Sequence, residues 1–218
     1  MTRRWGLLDA VLTVAVAILG GSIVAGIVGG DDTLAQRFLI NVPLWLAYVG
    51  VPLWATTTKG DGPVEELGLR FAPIDALIGL VAGTALQLGV IPLIYWALGD
   101  LVSQAELEEP ARELVDLTDG PGWVLLVIMV LVLAPFAEEL FYRGLIMRSV
   151  ARLVPMWVSV IITAALFALM HFQTVQLPGL FAFGLAAGAL AAWTGRLGTS
   201  MATHFVFNAW AIWEVARL

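Results

Sequence analysis

The stretch from Ala134 to Arg148, APFAEELFYRGLIMR, limits what this chain can fold into more than any other. Two adjacent glutamates and an arginine stand there at the end of an apolar run, Trp123 to Ala137, that reads as part of a membrane span. The ten Leu, Ile, Val and Phe residues between Val124 and Phe136 contribute roughly 3–6 kcal/mol toward insertion. Glu138, Glu139 and Arg143, if central, would cost roughly 8–10 kcal/mol together. The helix alone does not balance, so other helices must supply partners for this charge. Ionisable groups inside a span point to function.

Helix geometry separates the two glutamates. At about 100° per residue, Glu139 and Arg143 lie about 40° apart around the axis and about 6 Å apart along it. That is the i,i+4 pairing with the acid N-terminal to the base, the better orientation. Glu138 lies about 140° from Arg143, and the neighbour on its own face is Tyr142. Glu139 and Arg143 therefore form an internal ion pair on this reading, and Glu138 is the free carboxylate.

The rest of the composition agrees with a membrane protein. The 218 residues are 60% hydrophobic and 13% charged, with a mean hydropathy of +0.92, far from a soluble domain. Nucleic acid is not an expected partner, because the eleven Lys and Arg residues are scattered and form no basic stripe. With no cysteine, disulfides, thiolate metal sites and cysteine nucleophiles are all excluded.

Apolar stretches near residues 7–29, 38–58, 74–99, 122–147, 156–172, 177–195 and 198–216 predict an all-α, polytopic transmembrane bundle of about seven spans. The first is too long for a signal-peptide core and is expected to be retained. The last three are rich in Gly and Ala, which lets helix backbones approach closely. There is no internal repeat, so residues 1–218 read as one integral-membrane domain. Placing the N-terminus inside puts Arg3, Arg4, Lys59, Arg70, Arg148, Arg152 and Arg196 in the cytoplasm, against Arg37, Arg112 and Arg217 outside. Asp9 then reads as interfacial and the pair Glu65 and Glu66 as solvated. The acidic segment from Asp100 to Gly122 reads as a solvated extracytoplasmic loop, although Leu107, Leu114 and Leu117 would mark the apolar face of a covering helix.

The chain has only two histidines, and both sit in apolar helical stretches. His171 ends LFALMHF and has Phe167 four residues before it. His204, within SMATHFVFN, has Asn208 four residues after it, so two polar side chains stand one turn apart. A lone buried histidine is more often a packing residue. Two of them together with an intramembrane acid pair suggest a shared site. A carboxylate and a histidine can polarise a water, and two further donors can hold the oxyanion formed when it attacks a carbonyl. These components fit peptide-bond hydrolysis, with His204 and Asn208 as an oxyanion hole.

In order along the chain, Glu138-Glu139-x-x-x-Arg143, Phe167-x-x-x-His171 and His204-x-x-x-Asn208 resemble the CPBP family, the CAAX proteases and bacteriocin-processing enzymes that include the type II CAAX prenyl endopeptidases. The resemblance covers about residues 120–215, the catalytic core. It implies that Glu138 activates the hydrolytic water with help from His171, while His204 and Asn208 stabilise the oxyanion. Glu139, Arg143 and Phe167 would support the site structurally. The family has been called metalloproteases, yet the resemblance implies a glutamate-dependent site without obligatory zinc, and no cofactor or metal is expected. Two histidines with two carboxylates would also suffice as zinc ligands.

Other intramembrane proteases fit poorly: there is no HExxH, no pair of aspartates in the late spans and no GxSxG elbow. The reading is therefore an intramembrane endopeptidase in a prokaryotic plasma membrane, of CAAX type or processing leader peptides. Its partners would be the bilayer and a membrane-associated protein or peptide. The alternatives are a noncatalytic immunity or scaffold protein of the same fold and a proton-coupled transporter. The site is expected to be reachable from the cytoplasmic side, where Arg148 and Arg152 end the Glu138 helix.

Overall fold

A computed structural model of the chain describes residues 5–30 and 32–217, with Asp100 described by its backbone alone; Arg3 and Arg4 of the orientation argument lie outside these residues. Counting each continuous run as one helix, the described residues form α1 Leu7–Val28, α2 Leu34–Lys59, α3 Pro63–Leu67, α4 Pro73–Leu98, α5 Gln104–Asp116, α6 Gly122–Val150, α7 Met156–Leu169, α8 Leu177–Thr194 and α9 Leu197–Ala216. They contain no strand.

All seven expected apolar stretches are helical, but five of them, α1, α2, α4, α6 and α8, are long and apolar enough to cross a bilayer. The expected count of seven is not confirmed. α7 has 14 residues. α9 has 20, but buries Thr199, Ser200, Thr203 and His204 against its neighbours instead of presenting apolar side chains all round. The two are packing partners for α6. Leu8, Ile27, Leu93, Trp96, Trp157 and Trp193 point outward from the protein, as lipid-facing residues do.

Close helix crossings bring the polar residues together. On α4, a Cβ at Gly83 would lie 2.7 Å from the Thr203 carbonyl oxygen, so only glycine lets α4 approach the segment of α9 that carries His204. On α8, a Cβ at Gly184 would lie 2.9 Å from the Ala164 Cα of α7. The buried core runs along α6, from Leu126 and Met129 through Leu140, Phe141 and Leu145, with Tyr48 of α2 stacked on Phe141 at 4.1 Å.

The two ends of the bundle differ in charge. At the end where α1 begins and α6 finishes, Lys59 pairs with Asp9, Arg70 with Glu65, and Arg152 with Glu66 at 3.3 Å. Asp9 is buried and also accepts from the Gly6 backbone N–H at 2.9 Å, so it braces two helices at this end of the bundle. Arg196 donates to Asp75 at 2.6 Å, and that bond holds the Arg196 guanidinium above its ordinary pKa. At the opposite end the acidic segment is a helix, not a solvated loop. Ser103 and Glu106 form a reciprocal cap that starts α5, with bonds of 3.2 and 2.9 Å. The Ser103 N–H and hydroxyl, both donating to Glu106 Oε2, at 2.9 and 2.8 Å, hold this carboxyl below the usual range, so it stays ionised as pH falls toward that range. The covering helix that the leucine spacing suggested is present, with Leu114 packed on the core and Gln176 donating to the Leu107 carbonyl at 2.7 Å.

Candidate active site

α6 is not a uniform α-helix. Over Ile128–Leu133 and Leu140–Ile146 its turns widen to i→i+5 hydrogen bonds, from Ala134 N–H to the Met129 carbonyl and from Met147 N–H to that of Tyr142. Such wide turns often mark functional positions. The first widening has a direct consequence. In this register the Val130 carbonyl would accept from residue 135, which is Pro135 and has no N–H. Asn208 of α9 fills the vacancy, its Nδ2 donating to that carbonyl at 2.9 Å. One amide hydrogen of Asn208 is thus committed to backbone and the other remains for a ligand.

Glu139 and Arg143 form the expected ion pair, Nη1 to Oε1 at 2.7 Å, fully buried. Arg143 also donates to the Gly184 carbonyl at 3.3 Å and sits over the Phe167 ring at 4.6 Å. Phe167 is buried and touches Tyr142, His171, Phe183 and His204 as well, so it packs the site from below.

The sequence did not reveal the second bond of Glu139. His204 Nδ1 donates to the same oxygen, Oε1, at 2.9 Å. That bond fixes the imidazole ring and turns Nε2 toward Glu138, whose Oε2 is 3.8 Å away. Glu139 therefore joins the ion pair to the histidine instead of serving Arg143 alone. His171 Nδ1 bonds the Phe167 carbonyl at 2.7 Å; a carbonyl only accepts, so Nδ1 carries the proton and Nε2 keeps its lone pair.

Two chambers meet at these residues. One, about 610 Å³, is lined by Glu138, Phe167, His171, His204 and Asn208 together. The other, about 660 Å³, runs toward α2 and is lined by Asn41, Tyr48, Tyr142, Glu138 and His171. Glu138 and His171 belong to both. Tyr48 and Tyr142, whose hydroxyls are 3.5 Å apart, are wall residues that only the i,i+4 position of Tyr142 hinted at.

Both chambers are also lined by Pro110 and Leu114 of α5 and by Gln173, residues at the end of the bundle opposite Arg148 and Arg152. Both chambers thus extend toward the end opposite Arg148, whereas approach from the Arg148 end was expected. The side chain of Arg148 is instead engaged with the Gly195 carbonyl at 3.0 Å, on the far side from the mouth.

Among the described residues no three His, Asp or Glu side chains converge as metal ligands. Glu139 Oε1 is taken by Arg143 and His204, and His171 Nδ1 by backbone, which leaves the Nε2 atoms of the two histidines and the Glu138 carboxylate as the polar groups turned to the chamber.

The site is thus a carboxylate, Glu138, and two histidines gathered at a cavity inside a bundle of helices, five of them long and apolar enough to cross a membrane. Residues 120–210 match the family model of the type II CAAX prenyl endopeptidases, Rce1-like. Over these residues, fewer than half of the chain, it is similar to that family of CAAX proteases. No curated protein and no solved structure matches the chain.

Proposed function

We propose that the protein is an intramembrane endopeptidase of glutamic type, with residues 120–215 as its catalytic core. The observation that carries this reading is the juncture of the two chambers, where Glu138, His171, His204 and Asn208 share one cavity although 70 positions separate Glu138 from Asn208. Glu138 takes a proton from a water that also bonds the His171 Nε2 lone pair, and the resulting hydroxide attacks the scissile carbonyl. The oxyanion is held by the second amide hydrogen of Asn208 and by His204, whose ring Glu139 orients from the Nδ1 side. The proton on Glu138 then passes to the departing amine, which balances the hydrolysis. No step passes through a metal.

The test is the appearance of new peptide termini. Solubilised membrane proteins from cells lacking this chain are incubated with the purified protein in ¹⁸O-water. Each cleavage should place one ¹⁸O in a new C-terminal carboxylate, and exhaustive chelation should leave most of the activity. Identical profiles with and without the protein would leave a noncatalytic scaffold or a transporter standing. Loss on chelation with return on stoichiometric zinc would make it a metalloprotease.

The orientation proposed is N-terminus inside, by the excess of Lys and Arg at the α1 start. The chamber mouth beneath α5 then faces out of the cytoplasm. Single cysteines are informative in a chain that has none: Asp61→Cys should be labelled from the cytoplasmic side of vesicles and Asp119→Cys from the other. The reverse pattern inverts the topology.

A further inference from the structure

The larger walls of the 610 Å³ chamber leave one carboxylate unexplained. Glu138, Glu108 and Glu214 line it, and no Lys or Arg does. Glu138 is the proposed base. Glu108 is neutralised by Arg112 at 2.6 Å, and a hydrogen bond from Gln104, then the Arg112 pair, keep its carboxyl below the usual range. Glu214 alone takes only a neutral partner, the Gln87 amide of α4 at 3.0 Å, and makes no ion pair among the described residues.

Nothing about helix stability calls for a carboxylate there. Glu214 lies in the last turn of α9, where the helix dipole disfavours negative charge. A merely interfacial side chain would point outward, as the exposed Trp213 does. Glu214 instead turns inward, on the strip of α9 that continues from His204 through Asn208 and Ala211 along the chamber wall.

We propose that Glu214 is a specificity-determining residue that selects substrates bearing a lysine or arginine about four or five residues from the scissile bond. The spacing follows from geometry. Ten helical residues place Glu214 about 15 Å along the axis from His204, and an extended peptide covers that span in about four or five residues at about 3.3 Å each. The chamber's anionic walls and lack of cations favour a basic substrate side chain entering beside α5. The inference rests on the protease reading above.

The experiment uses the full-length purified protein and detergent-solubilised peptides built on a cleavage site found by ¹⁸O labelling. A single lysine, or glutamine as its neutral match, is walked along both flanks. Wild type should prefer lysine at one register by about three- to tenfold, the effect of a part-shielded ion pair. Glu214→Gln should erase that preference, so that the lysine and glutamine peptides are cleaved at equal rates, and Glu214→Lys should invert it toward a glutamate peptide. A wild-type enzyme with no lysine preference, or a preference that survives in Glu214→Gln, overturns the inference and leaves the protease reading intact. If wild type incorporates no ¹⁸O into any peptide, the protease reading fails and the inference fails with it.

Discussion

Glu138→Gln should lower hydrolysis by about 10²–10⁴-fold, the range for loss of a general base, and leave the melting temperature in detergent nearly unchanged. The two halves of this expectation have separate causes. The amide has the size of the carboxylate but cannot take a proton from water. Stability survives because Glu138 has no bond whose partner would be stranded. Its nearest polar neighbour, His204 Nε2, is 3.8 Å away, and the ring stays held from the other side by Glu139. Its carboxylate faces the chambers and not the core. Cleavage rate per folded molecule, measured beside the melting curve, separates the two. A Glu138→Gln protein that melts as wild type and still cleaves at more than a tenth of its rate would remove Glu138 from the chemistry.

What the chain disclosed in advance depended on how local the cause was. The Glu139–Arg143 pair is an i,i+4 relation on one helix, and spacing alone identified it. The demand for outside partners followed from the cost of charge in an apolar run. Which partner answered it did not, because the bond from His204 crosses 65 positions and depends on the close approach of α9. The Asn208 contact had a local signal that spacing arguments passed over. Pro135 must strand a carbonyl one turn earlier, and a wide turn decides that the carbonyl is that of Val130. For α5, leucine spacing and acidic composition pointed in opposite directions. Composition favoured a solvated loop, yet a helix with one apolar face and a capped start satisfies both. The direction in which the chambers extend was hidden for a related reason. Basic residues report which end faces the cytoplasm, but say nothing about the depth at which helices part to leave a cavity.

Glu139→Gln should behave in the opposite way to its neighbour and lose stability first. Its carboxylate is fully buried, and Oε1 receives both Arg143 and His204. Removing the charge leaves the Arg143 guanidinium, itself 1% exposed, with the Gly184 carbonyl and the Phe167 and Phe183 rings as its other partners. Breaking a buried pair from one side costs on the order of 3–5 kcal/mol, a large share of a typical folding free energy. Yield and melting temperature should fall accordingly. The double variant Glu139→Gln/Arg143→Gln should recover part of that loss, since neither charge is then stranded. It should not recover cleavage. The second bond of Glu139 fixes which ring nitrogen of His204 faces Glu138, and an amide presents either its oxygen or its NH₂ to Nδ1, so the ring orientation is no longer enforced. Stability rescued without activity is therefore the signature of the carboxylate's two duties. Rescue of both by the double variant would reduce Glu139 to a counter-ion for Arg143. A stable, active Glu139→Gln would show that the buried pair and the histidine bond both matter little.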